Sequence, residues 1–511
     1  MHSQDESDHC DLLVIGGGIN GVGVARDAAG RGLRVILCEK DDLASHTSSA
    51  SSKLIHGGLR YLEYYEFQLV RKALKEREVL MRLAPHLISP LRFIMPHREG
   101  LRPRWLLRAG LFLYDHLAAR ALLPSSHSID FDSHEVGRPL KKIFKHGFAY
   151  SDAWVDDARL VILNAIDARE HGARILTRTK CMDLQRVDGV WTASLVQQGA
   201  QKSVNLRVQA KAVVNASGAW AAELQHQYSP SLAPKHLKLV KGSHIVVKRL
   251  FEHAHAYIFQ HPDGRIVFAI PYEHEYTLIG TTDIEFHADP NQLQISAEEV
   301  RYLCELSNQY FETQIDPSDV LWSYSGVRPL VDDGQTDAKA ITRDYRFDLD
   351  NQGPPILHVF GGKITTYRRL AQDALNQIAP LLNNTSGDWT DSAVLPGGDL
   401  FRGTPDNENV INWDRFLAQA CQYYAFLPPT LIARYARLYG ARIHVMLKGC
   451  DSLAALGEEI LPGLFEVEVQ YLCKVEFATQ AQDILWRRTK LGLHLPANAN
   501  SVLEAWLAHI P

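Results

Sequence analysis

Residues 11–15 (DLLVI) run straight into Gly16, Gly18 and Gly21, spaced G-x-G-x-x-G. A helical pattern to Gly30 and a second apolar run, LRVILCE at 33–39, follow. A strand, a glycine turn, a helix and a strand in so short a span predict the opening unit of a parallel α/β sheet. Each glycine has its own task. The first permits the tight turn, the second lets backbone N–H groups approach a pyrophosphate, and the third lets the helix pack close to the strand. The helix N-terminus then attracts the phosphate charge. Glu39 ends the second strand, 18 residues beyond Gly21 (39 − 21). A carboxylate there accepts hydrogen bonds from ribose hydroxyls and repels an NADP 2′-phosphate.

The glycine fingerprint does not separate NAD from FAD, but three further segments favour FAD. The first is Thr47, Ser48, Ser49, Ser51 and Ser52, followed by Lys53 and His56-Gly57-Gly58. Its small hydroxyls can bond phosphates or a flavin edge. The second, VVNASGAW at 213–220, is an apolar strand running into Ala216, Ser217 and Gly218. In the third, FGGKITTY at 360–367, Gly361 and Gly362 open a helix. Its N-terminus would face the negatively charged N1–C2=O region of a flavin.

Residues 65–84 predict a helix, with Val70, Leu74 and Met81 at helix spacing and Pro85 at its end. Asp188-Gly189 and Asp263-Gly264 each separate β-rich runs and predict hairpins with type I′ turns. The middle of the chain therefore reads as antiparallel, and both hairpins are assigned to a sheet that covers the substrate. Residues 395–409 (LPGGDLFRGTPDNEN) read as a linker, and 413–511 carry mostly helical patterns.

Composition narrows the partners. Of 511 residues, 46% are apolar and 22% charged, which suits two or three globular domains with cores independent of disulfides. Lys+Arg 54 against Asp+Glu 59 leaves −5, so no global basic charge argues for nucleic acid. Seven scattered cysteines without C-x-x-C predict a reduced, cytoplasmic chain with no cysteine zinc site, and no metal ligand set is assigned. The first ten residues lack an apolar signal core, and no run of about 18 apolar residues is present, so membrane contact is expected to be peripheral.

The runs DLLVIGGGINGVGVARDAAGRGL, TSSASSKLIHGGLRYLE, YSDAWVDDARL, KGSHIVV, IGTTD, YSGVRPL, AITRDY and FGGKITTYRRLA extend to about residue 370. VLPGG, ARYARLYG and LWRRTKLGL lie beyond. With these the chain resembles the FAD-dependent glycerol-3-phosphate dehydrogenases of the aerobic, respiratory type, in the D-amino-acid-oxidase-like superfamily. The resemblance implies an α/β and α+β fold: a Rossmann-like FAD-binding domain with an antiparallel-sheet substrate domain, plus a C-terminal helical domain. The FAD domain occupies discontinuous parts of 1–395, interleaved with substrate-domain segments near 75–150 and 225–345. Residues 396–409 are the linker and 410–511 the helical domain. FAD would be held by the first turn, including Gly17, Ile19 and Asn20, by Glu39 and Lys40, by the serine-rich loop with His56, Gly57 and Gly58, by 216–218, and by Gly361, Gly362, Lys363 and Thr365. The implied reaction is oxidation of sn-glycerol 3-phosphate to dihydroxyacetone phosphate, with hydride passing from C2 to flavin N5. Electrons then go to membrane quinone at the inner face of the cell membrane.

A phosphate dianion wants the guanidinium fork. Arg60 in HGGLRY, Arg328 in SGVRPL and Arg343 in ITRDY sit inside motifs. Lys363 lies at a predicted helix N-terminus, where a cation opposes the helix dipole. It is therefore assigned to substrate oxygen or to flavin charge. Loss of the C2 hydroxyl proton needs a base poised near neutrality, and His56 and His244 lie inside motifs. Sequence does not choose between them; with Arg328 and Lys363 they form the catalytic set. Tyr61 and Thr282 are further candidates for substrate hydrogen bonds, and Trp154 and Asp156 read as supports of the fold.

Residues 92–120 carry Arg92, Arg98, Arg102, Arg104, Arg108 and Arg120 against Glu99 and Asp115, interleaved with Trp105, Leu106, Phe112 and Leu113. Arg104, Arg108 and Asp115 share a helical stripe. Such a helix can lie on an anionic membrane, or pack on the substrate domain with its arginines in water. The tail helices are a candidate homodimer surface. Two other functions stay open: a glycerol-3-phosphate oxidase using oxygen, and a catalytically idle flavin-binding protein.

Overall fold

The computed structural model describes residues 8–98, 102–199, 203–261, 265–332, 344–401 and 406–509. Strand β1 (Asp8–Ile15), helix α1 (Ile19–Gly30) and strand β2 (Val35–Cys38) form the predicted opening unit. Leu12 to Ile15 and all of β2 are buried on both faces, as parallel strands between two layers must be. β1 pairs parallel with β2 and with strand Val204–Asn215. Arg174–Leu176 and Ile356–Phe360 extend the parallel sheet on either side, and Arg346–Asp350 adds an antiparallel edge. α1 packs on one face with helices Asp157–Glu170 and Tyr367–Ile378. Asp156 caps the first of these by accepting from the Arg159 N–H at 3.2 Å.

The other face of this sheet is covered by the hairpin Thr179–Val187/Val190–Gln197, whose Leu184, Trp191 and Leu195 pack with Leu13, Ile36 and Cys38. Asp188 and Gly189 both have positive φ, 51° and 78°, as a type I′ turn requires. The hairpin pairs with Val204–Asn215. Its assignment to the substrate-covering sheet is thus corrected: a turn signal specifies a local hairpin, whereas sheet membership depends on a partner strand far along the chain.

The second sheet runs Ile284–Phe286, Leu237–Lys248, Tyr276–Gly280, Ile266–Tyr272, Ala256–Gln260, Ile88–Pro96, His146–Val155, Leu54–Ile55. Trp322–Val331 also pairs with Leu237–Lys248, and His127–Asp130 with His146–Val155. Ala256–Gln260 runs parallel to Ile88–Pro96, so the expected all-antiparallel sheet contains one parallel pair among the described residues. Asp263-Gly264 lies outside the described residues. Strand Leu237–Lys248 shows how the sheet divides its faces. Ile245 and Val247 pack against helix Ala297–Tyr310, while Val246 and His244 turn to the opposite face, following the period of two.

The C-terminal part is mostly helical, around Ile432, Tyr435, Tyr439, Val469, Leu472 and Ile484. It also holds a small hairpin, Glu459–Leu461/Leu464–Phe465. The start of the expected linker is instead a packed seam. Residues 395–398 are buried, and Leu395 N–H donates to Leu83 O and Ala441 N–H to Gly397 O. A Cβ on Gly397 would stand 2.3 Å from Tyr439 O. These glycines serve close approach rather than mobility.

Candidate active site

A cavity of about 350 Å³ separates the two sheets. Gly18, Ala216 and Gly361, at or just beyond the carboxyl ends of parallel strands, line one side; His244, Thr281 and Arg328 of the second sheet line the other. Ligands of open α/β sheets bind at such carboxyl ends.

The first turn is shaped by contacts that admit no side chain. A Cβ on Gly21 would lie 1.8 Å from Gly16 O, and one on Gly16, at φ 113°, 2.6 Å from Ala216 O. Ser48 Oγ accepts from Ile19 N–H at 2.9 Å and so caps α1, which Gly18 cannot do. Glu39 accepts from Gly17 N–H at 2.6 Å and from Asp41 N–H at 2.9 Å. Burial raises its carboxyl above the ordinary value, and the Asp41 and Gly17 N–H groups oppose that rise. Asn20 Nδ2 donates to Gly361 O at 3.0 Å, tying this turn to the third segment. Gly361 and Gly362 have φ of 70° and 97°, and Gly218 61°. Ser217 Oγ donates to Asn215 Oδ1. Lys40 stacks its ammonium 3.7 Å from the centre of the Trp220 ring.

The serine-rich loop divides. Thr47, Ser48, Ser51 and Ser52 line the cavity. Thr47 Oγ1 donates to Val327 O, Ser51 Oγ to Asp157, and Ser52 Oγ lies 2.9 Å from His244 Nε2. Ser49 turns back on His46 O. Lys53 is corrected. Its ammonium is buried 2.8 Å from Asp157 Oδ1 and bonds Ser49 O, so it supports the loop and does not line the cavity; burial lowers its pKa. Gly57 is corrected too: it does not line the cavity, its N–H donates to Tyr114 Oη at 2.8 Å, and a Cβ there would stand 2.6 Å from the Leu74 side chain. His56 lines the cavity, its N–H donating to Thr365 Oγ1 at 3.2 Å.

Of the residues expected to hold or act on substrate, the structure brings His56, Arg60, Tyr61, His244, Arg328 and Lys363 to one cavity. Arg328 Nη1 donates to Asp283 Oδ1 at 2.8 Å and Nη2 to Thr281 Oγ1 at 3.3 Å. The Lys363 ammonium lies 3.8 Å from the centre of the Tyr61 ring. Arg60 approaches Tyr64. Thr282 is corrected: it is buried, accepting from Ser243 N–H and donating to Glu299. Thr281 and Asp283, its neighbours, line the cavity instead. Sequence reading passed over them, although in an extended segment the two neighbours of an inward residue share the opposite face. Arg343 lies outside the described residues.

His244 stacks on Tyr324, ring centres 4.8 Å apart. Burial, then the charges of Lys53 and Arg328, hold its pKa well below the ordinary 6.5. Its Nδ1 and Asn20 Oδ1 are buried without a partner among the described residues, both on residues that line the cavity. Orphaned polar atoms beside a glycine cradle fit a ligand with polar ring edges such as FAD.

Helix Arg104–His116 lies outside the cavity. Arg108 donates to Ser126 Oγ at 2.9 Å, and Asp115 accepts from Ser126 N–H and pairs with Arg120. The Arg108–Asp115 stripe therefore ties the helix to the protein. Trp105, Leu106, Phe112 and Leu113 point outward; Trp105 is 72% and Phe112 56% exposed. No described helix is long and apolar enough to cross a membrane.

The FAD dependent oxidoreductase family matches residues 11–368, and the C-terminal domain of alpha-glycerophosphate oxidase matches 389–510. A glycerol-3-phosphate dehydrogenase of Pseudomonas aeruginosa is 51% identical over 499 residues, 97% of this chain and 94% of that protein. A D-erythritol 1-phosphate dehydrogenase of Brucella abortus is 47% identical over 502 residues, 98% of each. The crystal structure of the glycerol-3-phosphate dehydrogenase from Bacillus halodurans, complexed with FAD, superposes with a TM-score of 0.78 at 28% identity, over 99% of this chain and 91% of that one. The chain belongs to the FAD-dependent oxidoreductases and, within them, to the FAD-dependent glycerol-3-phosphate dehydrogenase family.

Proposed function

We propose that the protein oxidises sn-glycerol 3-phosphate to dihydroxyacetone phosphate and passes the electrons to a membrane quinone. The reading rests on one observation above others: Arg60, Arg328 and Lys363 converge on the cavity that adjoins the dinucleotide turn. Three cations in one cavity match a phosphate dianion. Arg328, steadied by Asp283, grips phosphate oxygens in a fixed orientation, and Arg60 completes the clamp. Lys363 contributes charge at the helix start beside Gly362. FAD, when bound, supplies the acceptor for the hydrogen and electron pair leaving C2.

Neutral His244 takes the C2 hydroxyl proton. Its depressed pKa keeps the imidazole unprotonated at pH 7, with Ser52 fixing the ring through Nε2. His56 lines the same cavity and is the competing acceptor. Helix Arg104–His116 rests its outward Trp105 and Phe112 in the membrane interface, with Arg104 nearby for anionic headgroups. This gives a peripheral enzyme access to quinone at the inner face of the cell membrane.

The Brucella relative favours a second substrate reading, a four-carbon polyol phosphate. The deciding experiment is anaerobic. Glycerol 3-phosphate should bleach the flavin band, and a quinone analogue should restore it; no bleaching would refute the activity. Restoration by oxygen but not by the quinone would assign an oxidase. A higher kcat/KM with erythritol phosphate would move the substrate to four carbons.

A further inference from the structure

Three residues after Glu39, Asp42 is buried inside a cage supplied by the far end of the chain. Arg488 donates to both of its oxygens, and Arg487 Nε lies 2.5 Å from Oδ2. Arg488 is itself fully buried and also donates to Glu476 O at 2.7 and 3.2 Å. Arg487 further bonds Asp483 at 2.6 Å. Residues Asp483–Arg488 form a π-helical turn. Its wide turn lets two consecutive arginines reach one carboxylate, and such turns recur at functional places in proteins.

A second strut runs beside the first. Asp483 accepts from Arg178 Nη2 at 2.8 Å through both oxygens. The Arg178 N–H donates to Asp41 O at 2.8 Å, and Thr179 N–H to Glu39 O at 2.6 Å. The braced segment touches the dinucleotide turn at three points. Glu39 receives the Gly17 N–H, Ala44 N–H donates to Gly17 O at 3.2 Å, and Leu43 packs where a Gly17 side chain would be.

We propose that Arg487, Arg488 and Asp483 are positioning residues for the cofactor: the C-terminal helical part clamps the 39–45 loop, and through it the ribose-side wall of the FAD cradle. The inference rests on the FAD assignment. It gives the C-terminal part a task in retaining cofactor, although none of its described residues lines the cavity.

The test uses apoprotein prepared from purified holoenzyme and titrated with FAD, following flavin fluorescence and Tm with and without FAD. R488M should raise the FAD Kd about tenfold, which is about 1.4 kcal/mol. The rise in Tm on adding FAD should shrink, because that rise reports affinity for the folded state. At saturating FAD, kcat and the KM for glycerol 3-phosphate should stay within about twofold of wild type. A merely structural arginine would lower the Tm of apoprotein and holoenzyme together and leave the FAD Kd alone. Removing Arg488 leaves Asp42 with half its cage. D42N/R488M, which removes both charges, and R487M, which keeps Arg488, are therefore measured alongside. Folded variants that bind FAD with the wild-type Kd would overturn the clamp. Wild-type apoprotein that takes up no FAD would instead remove the cofactor assignment on which it stands.

Discussion

His244 and Ser52 face each other across the cavity wall, imidazole Nε2 to hydroxyl oxygen at 2.9 Å. They come from elements 192 residues apart. The pairing fixes the ring, and Nδ1 has no partner among the described residues. A neutral imidazole is the form that accepts a proton, and burial with two nearby cations holds His244 in that form. H244N should slow flavin reduction about 100-fold or more in single turnovers, the usual scale of general-base loss. In the wild type the acid limb of kcat/KM should lie below pH 6.5, the ordinary histidine value. An acid limb at or above 6.5, abolished by His56→Asn and not by H244N, would assign the proton to His56.

Arg328 meets Asp283 at 2.8 Å and faces the cavity. Each charge-assisted hydrogen bond is worth about 1.5–3 kcal/mol. R328A should therefore lower kcat/KM for glycerol 3-phosphate by about 10- to 100-fold. Its FAD absorbance per polypeptide should match wild type. Equal losses of FAD and of activity would show that the residue supports the cradle rather than the phosphate.

Trp105 and Phe112 stand outward on one helix while Arg108 and Asp115 hold its inner side to Ser126. W105S/F112S removes apolar area from the outer face without touching those bonds. The variant should keep wild-type turnover with a soluble acceptor dye and lose flotation with anionic liposomes. Flotation at the wild-type level would place the membrane contact elsewhere.

Burial holds His86 and His244 well below pH 6.5 and His358 at about 4. Below pH 6.5 the unfolded chain binds a proton at each site that the folded chain refuses, so stability rises with pH and falls on acidification. Glu273 opposes this. Burial pushes it up to about 7, so between 7 and its ordinary 4.5 the folded chain binds the extra proton. His127, His253, His255 and His494 are lowered by burial as well, and Glu39 and Asp152 are raised by it, so seven imidazoles against three carboxyls leave the net slope positive, at about 1.4 kcal/mol per pH unit for each net proton. Thermal melts from pH 7.5 to 5 should show a steady fall in Tm. A Tm that is flat or rises over that range would show that these histidines are charged in the folded protein.

Patterns local in the chain are legible in the sequence alone. Gly16, Gly18 and Gly21 announced the dinucleotide turn because a turn needing close backbone approach tolerates no other residue type. Val70, Leu74 and Met81 announced by spacing alone the helix Phe67–Leu83, where all three are buried. The Asp188-Gly189 turn was equally clear, yet the sheet that received it was not. Lys53 and Thr282 sat inside informative motifs and faced away from the cavity. A motif records which residues a segment needs, and does not tell a ligand contact from the support beneath it.

The sequence by itself determined the cofactor class, the cationic residues that line the cavity and the amphipathic helix, since each is announced by short motifs whose residue types are readable one segment at a time. Tertiary structure alone decided which face Thr282 shows, that Lys53 belongs to Asp157, that the 395–400 segment is a seam, and that Arg488 reaches Asp42 from 446 residues away. Those outcomes depend on burial and long-range ion pairing. The free energy of both is set by what the remainder of the chain places alongside.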